Sequence, residues 1–416
     1  MSSDFDIAII GGGAAGLAAA IFASETNPNL SIAILDSAKS IGAKILVSGG
    51  GRCNVTNQRV TPSDFHGNRK LIDRIFRRFD EQATVRWFTS LDVPLQTEDT
   101  GKLFPVSNKA RMVLEALLQR CKALGVFLLT QHLVQGITRE EDEFIIHHSQ
   151  GTLSAKRVIL ATGGRSLPKT GSDGSGWELA QQLGHTVTST YPALVPLLLD
   201  PSFFHAKLSG ISHDVMLTTN VNGRTIDRRS GSLLWTHFGI SGPVVLDASR
   251  FWVTASAQGE DVHLHLNCFP ELSRQAIEKW LTEAATFPGR KTLPALLAER
   301  LPNRVATTLA SLQRPDLSEV PINSLIKESR RNLVQTLANL SLPVIGSRGW
   351  NFAEVTAGGI PLDEINPGSM GSRRISGLYV IGEMLDCDGR IGGFNFQWAW
   401  ATGYIAGCHA ARRFSS

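Results

Sequence analysis

Four glycine clusters stand beside residues able to hold an anion, a sugar hydroxyl or a planar ring. The first is Gly11-Gly-Gly13-Ala14-Ala15-Gly16, between the apolar run 5–10 and the alanine-rich run 17–23. Gly11 permits a tight turn, Gly13 lets the backbone approach a pyrophosphate, and Gly16 lets a helix pack closely on the preceding strand. The anion would rest on the positive end of that helix. Asp36, 20 residues beyond Gly16 at the end of a second apolar run, would accept hydrogen bonds from a ribose. The second cluster runs from Gly42 through Lys44 to Gly49-Gly50-Gly51-Arg52-Cys53-Asn54. Three consecutive glycines disfavour both a helix and a central strand, so they predict a loop whose amides face an anion or a ring.

The third cluster is Ala161-Thr162-Gly163-Gly164. The fourth is Gly382-Glu383, followed by Gly392-Gly393-Phe394-Asn395-Phe396. The last of these predicts a helix beginning at Gly392-Gly393 with free amides aimed at the sheet edge. Such an end would stabilise the negative charge of a reduced flavin near N1 and O2. Two side chains are candidates for acid–base work. Cys53, in the glycine loop, could protonate a substrate carbon, or it could be a buried structural thiol. His237, in Trp235-Thr-His-Phe-Gly239, could approach a ring, or it could be a packing histidine. Cys387 lies between two aspartates, which oppose a thiolate. His263 and His265 share one strand face without an evident third ligand, so no metal site is expected. Trp398 and Trp400 read as core.

The elements that must position these groups alternate. Residues 5–36 predict a strand–helix–strand unit. Helical patterns follow at 73–91 and 108–124, then strands at 126–129, 133–137, 144–148 and 158–161. The first three, directly after the helix, read as a meander that ends by re-entering a parallel sheet at 157–164. Residues 194–268 show short alternating runs with turns between them, and 271–340 turn helical, broken by prolines. A strand at 377–382 precedes a long final helix. The expected organisation is an α/β chain whose nucleotide-binding domain is built from both ends, 1–193 and 346–416. A β-rich insertion at 194–270 and a helical one at 271–345 would interrupt it.

Composition narrows the classes. With 416 residues and 42% hydrophobic side chains, the chain can bury a large core without disulfide or metal staples. Its five cysteines are scattered and form no C-x-x-C pair, which argues against a disulfide framework, a zinc ribbon and dithiol chemistry. No leader is evident before the strand at Phe5. The stretch 391–411 lacks charge, but its glycine and polar residues predict a helix buried in protein rather than in a membrane. A soluble, cytoplasmic chain is expected. The net charge of +4 does not demand nucleic acid, although residues 66–111 carry nine basic against six acidic side chains.

The order and wording of the motifs resemble a known family. Lys44-Ile-Leu-x-Ser-Gly-Gly-Gly-Arg-Cys-Asn54, Ala161-Thr-Gly-Gly164, Thr170-Gly-Ser-Asp-Gly-Ser-Gly-Trp177, Thr236-His-x-Gly-Ile-Ser-Gly-Pro243, Glu354-Val-Thr-Ala-Gly-Gly-Ile360 and Ile381-Gly-Glu-x-Leu-Asp-x-Asp-Gly389 with Gly392-Gly-Phe-Asn-Phe-Gln-Trp398 look like the BaiN/RdsA (YhiN-type) flavoproteins. These belong to the two-ended FAD-binding superfamily of glutathione reductase. The resemblance implies FAD, a Rossmann-type domain interrupted by a β-barrel-like and a helical insertion, and Val134 as a further cofactor contact. It also implies NAD(P)H-linked reduction of a carbon–carbon double bond, uracil in ribosomal RNA or a bile acid among the acceptors, with amine oxidation as another association. A small molecule or an RNA is thus the expected partner. With a single G-x-G-x-x-G, NAD(P)H would dock transiently. An RNA- or protein-binding module with a structural FAD is a third reading. Glu383 stands where the superfamily usually has Asp, and Arg390 occupies a variable position.

Overall fold

Apart from Asp6, Phe5–Ile10 is apolar, and it pairs in parallel with Ile32–Asp36 on one side and with Gly151–Leu160 on the other. Strands buried on both faces read as continuous hydrophobic runs. The computed structural model describes residues 4–286 and 290–412. Phe127–Thr130 extends the sheet beyond the second strand, and Leu378–Val380 joins it from the far end of the chain, beside Gly151–Leu160. The meander expected from the strand at 126–129 onward starts one strand later: Phe127–Thr130 is parallel, and Val134–Glu140, Glu143–His148 and Gly151–Leu160 pair antiparallel in sequence. The last of these is a single ten-residue strand. Its first half completes the meander and its second half lies in the parallel sheet.

Helix Ala14–Thr26 packs against the final helix, Phe394–Arg412. Small residues make the approach possible. A methyl at Gly403 would stand 2.7 Å from the Ala15 carbonyl, and one at Gly407 would stand 2.4 Å from that of Ala19. The uncharged stretch 391–411 is therefore a buried packing helix. No helix among the described residues is long and apolar enough to cross a membrane. The pattern at 73–91 resolves into two helices, Arg69–Phe76 and Glu81–Ser90, with Asp80 capping the second by accepting from the Ala83 amide (2.7 Å). Exposed Arg69, Lys70 and Arg74 lie on the first, exposed Arg77 and Arg78 follow its end, and Arg77 pairs with Asp73 one turn earlier.

The chain divides into two compact units, 1–192 with 354–416, and 193–353. The separate β-rich and helical insertions expected from sequence form one unit in the structure. The reason lies at its end. Leu340–Leu342 pairs with Val262–Asn267, and Val344–Ser347 pairs with Leu197–Leu199, so strands beyond the helices close the same seven-stranded antiparallel sheet. These two edge strands are separated only by Pro343. The sheet must therefore curl until its ends are neighbours, which gives it a barrel-like form. The stretch 194–268 also holds a 15-residue helix, Pro243–Ala257, where alternating strands were expected. Gly242 followed by Pro at the first helical position signals its start.

Candidate functional site

The turn after the first strand is built on close backbone approach. A methyl at Gly16 would stand 2.0 Å from the Gly11 carbonyl, and one at Gly11 would stand 2.5 Å from that of Ala161. Both positions exclude a side chain, so the helix starts hard against the strand ends. Gly13 differs, because a methyl there would meet nothing within 4 Å. It caps helix Ala14–Thr26 without any side-chain hydrogen bond. The helix thus presents its positive end to open space.

Around this end the four clusters meet. Ala161 and Thr162 lie against Gly11, Gly382 lies 3.0 Å (as a methyl) from the Ala15 side chain, and Gly164 lies against Thr356 and Glu383. Asp36 is oriented at both oxygens, accepting from the Gly12 amide (2.7 Å) and the Ala38 amide (2.8 Å). The loop before Val134 reaches the same corner, with the His132 amide donating to the Asp36 carbonyl (2.8 Å). Val134 itself is buried. Lys44 Nζ donates to Glu383 Oε2 (2.7 Å) and to Ser166 Oγ (2.6 Å). Glu383 Oε1 accepts in turn from Ser166 Oγ (2.8 Å) and the Thr356 amide (2.8 Å). The longer reach of Glu in place of Asp is used to bind Lys44, tying the glycine loop to the 382–384 turn. Sequence reasoning missed this pair, whose members lie 339 residues apart.

The glycine loop itself turns through the left-handed region at Gly49, Gly50 and Gly51 (φ 55°, 68° and 85°). Gly50 again faces open space. Arg52 pairs with Glu98 and lies over the Phe104 ring, 3.9 Å from its centroid. Cys53 is wholly buried, and burial pushes its thiol up to about 12. The thiol is thus enclosed and held in its protonated form. Asn54 is buried beside it. In the amide orientation that satisfies its neighbours, its nitrogen donates to the carbonyls of Thr56 (2.9 Å) and Leu103 (3.2 Å), and its oxygen accepts from the Gly393 amide (2.9 Å).

That last bond corrects an expectation. The Gly393 amide is not free, because Asn54 takes it. A methyl at Gly393 would also stand 2.4 Å from the Thr56 carbonyl, and Asn57 Nδ2 donates to the Gly392 carbonyl (3.0 Å). The following residues pack. Phe394 meets Phe65 edge-on, Asn395 bonds the Gly389 backbone at both its N–H and carbonyl, and Phe396 stacks on Trp400. Trp398 and Trp400 are core, donating to the carbonyls of Gly382 (3.0 Å) and Val55 (2.9 Å). His237 is an exposed residue of the second unit, on the turn joining Arg224–Thr236 to Gly239–Ser241. His263 pairs with Asp261, and no metal-holding cluster exists among the described residues.

The residues present fit a dinucleotide cofactor. An uncapped helix end opens at Gly13, a pre-oriented carboxylate stands at Asp36, and the buried Thr162 Oγ1 has no hydrogen-bond partner among the described residues. The sequence matches the HI0933-like protein Rossmann domain family over residues 5–409. The chain belongs to this family. It is 33% identical to the 3-dehydro-bile acid delta(4,6)-reductase of Clostridium scindens, covering 98% of this chain and 99% of that one. It is 32% identical to the ribosomal RNA dihydrouridine synthase of Escherichia coli, covering 96% of each. In fold it is similar to a 3-ketosteroid dehydrogenase of Rhodococcus jostii, with a TM-score of 0.51 and 16% identity over 99% of this chain and 98% of that one. This member of the family is an FAD-dependent oxidoreductase.

Proposed function

We propose that the protein uses FAD and NAD(P)H to reduce a carbon–carbon double bond conjugated to a carbonyl, with uracil in ribosomal RNA as its acceptor. One observation carries the reading. Two relatives matched over nearly their whole lengths are named for a bile acid and for RNA, yet both names describe saturation of a conjugated double bond. Bound FAD supplies hydride transfer, from a nicotinamide and then to the electron-poor carbon.

The chain's own groups have separable tasks in this reading. The amides beyond Gly13 hold the pyrophosphate, Asp36 accepts from the adenosine ribose, and Thr162 Oγ1 gains the partner it lacks. Lys44 and Glu383 tie the glycine loop to the 382–384 turn, and this loop would help hold the cofactor. Reduction also consumes one proton at the neighbouring carbon. Of the two donors expected from sequence, His237 presents its ring to solvent whereas Cys53 does not.

Mass spectrometry of ribosomal RNA tests the acceptor. Cells deleted for this gene should lose a dihydrouridine that the gene restores; unchanged dihydrouridine would overturn the uracil reading. A steroid-like enone is the second reading, favoured by the relative at 33% identity. It predicts intact rRNA dihydrouridine and re-oxidation of the reduced enzyme by the enone.

A further inference from the structure

The second unit carries a cation held between two aromatic rings. The Arg348 guanidinium carbon lies 3.3 Å from the centroid of the Phe352 ring and 4.4 Å from that of Phe238. The arrangement is built by the local chain. Arg348 is anchored through its amide, which donates to the Pro196 carbonyl (3.0 Å). Gly349 then takes φ 68° and ψ −168°, a conformation open to glycine alone, and the single turn Trp350–Phe352 folds back over the arginine. The Phe352 amide closes this turn on the Gly349 carbonyl (3.0 Å). Phe238 is supplied from 110 positions earlier, its carbonyl held by the Leu199 amide (3.2 Å).

Stacking of this kind holds the guanidinium plane without consuming its N–H groups. Among the described residues, the Arg348 side chain forms no hydrogen bond and no ion pair. By contrast, Arg52 also lies over a ring but spends its donors on Glu98. Arg348 is thus a pre-oriented, unneutralised fork, and Phe352 leaves 43% of its surface exposed beside it. A planar cation with free donors next to an exposed ring suits a ligand that offers an oxyanion and a flat base in succession.

We propose that Phe238, Arg348 and Phe352 form a binding site for single-stranded RNA, the guanidinium taking a phosphate and the outer face of Phe352 stacking a base. This deepens the uracil reading and rests on it for the choice of RNA over other oxyanion-bearing ligands. Direct phosphate recognition at one residue lowers the salt dependence of binding by a definite step when removed, whereas loss of stacking lowers affinity without that step.

The test uses the full chain loaded with FAD and a fluorescein-labelled, uridine-rich single-stranded RNA of a dozen nucleotides, read by anisotropy at two salt concentrations. R348A should weaken binding roughly tenfold and flatten the log–log salt slope by about 0.7. R348K should keep much of the slope yet lose affinity, because the bidentate fork is gone. F352L should cost roughly fivefold with the slope unchanged. All three should keep wild-type FAD content and melting temperature. The site is overturned if the wild type does not bind the strand, or if R348A and F352L bind within twofold of it. Failure of the uracil reading is distinguishable. If rRNA dihydrouridine does not depend on the gene but R348A still loses RNA affinity, the site stands alone. If R348A makes dihydrouridine and binds the strand like wild type, the acceptor stands and the site falls.

Discussion

Two long helices of the first unit begin at glycines, and they do so for opposite reasons. At Gly13 the backbone is extended, no side chain caps the helix, and the space beyond is open. At Gly393 the backbone is left-handed (φ 91°), the amide is taken by Asn54, and the Thr56 carbonyl lies where a side chain would begin. The first glycine leaves open space before the helix end, and the second makes room for neighbouring backbone. A glycine at a helix start is therefore ambiguous until its neighbours are known. The question that separates the cases is what a methyl group would touch.

Substitution turns this contrast into measurements. The largest effect should come from G393A, which combines a left-handed backbone with an unavoidable contact. It should lower unfolding free energy by about 2–4 kcal/mol, read by denaturant titration of the apoprotein. G13A should do the reverse, leaving apoprotein stability within about 0.5 kcal/mol while weakening FAD binding roughly thirtyfold by fluorescence quenching, because the methyl enters the pyrophosphate's space. If G13A unfolds the protein, or G393A only loosens FAD, the contrast is wrong. D36N should cost roughly tenfold in FAD affinity by the same titration, since it loses the charge-assisted bonds to the ribose and its amide nitrogen cannot accept from the Gly12 or Ala38 amide.

The smallest effect comes from a cluster that touches neither helix start. Glu364 accepts from Arg374 (2.6 Å), Thr186 Oγ1 (2.7 Å) and His185 Nδ1 (2.6 Å). The Arg374 bond above all, with those of Thr186 and His185, holds its carboxyl down from 4.5 to about 2. A depressed carboxyl contributes stability that is complete above its unfolded value and is lost as pH falls through the folded one. The stability gap between wild type and E364Q should thus be constant from pH 7 to about 5 and shrink between pH 4.5 and 2, with FAD affinity at pH 7 unchanged. A gap that does not narrow would show that the ionised carboxylate contributes nothing.

How much of this was legible in the sequence depends on distance along the chain. The strand–turn–helix at 5–26 and the acid at Asp36 are local, and their spacing alone implied the parallel pair. The buried final helix was legible for the same reason, and so was the meander apart from its first strand, which joins the parallel sheet. The Lys44–Glu383 pair was not, because no pattern links residues on opposite ends of the chain. The free amides expected at Gly393 failed similarly. Glycine spacing suggested a helix start, but the occupant of its amide, Asn54, comes from another segment. The helix at 243–257 was signalled by Gly242-Pro243 yet hidden among alternating strands. Arg348 drew no notice as one arginine among many, and only the fold sets Phe238 against it.

The measurement closest to the central claim is anaerobic stopped-flow mixing of the FAD-loaded protein with NADH and, separately, NADPH, followed by a uridine-rich RNA. At least one nucleotide should bleach the yellow band within seconds, and the RNA should then restore the colour. A flavin still oxidised after several minutes with both nucleotides would contradict a nicotinamide-driven reductase and leave FAD a structural part of a binding protein.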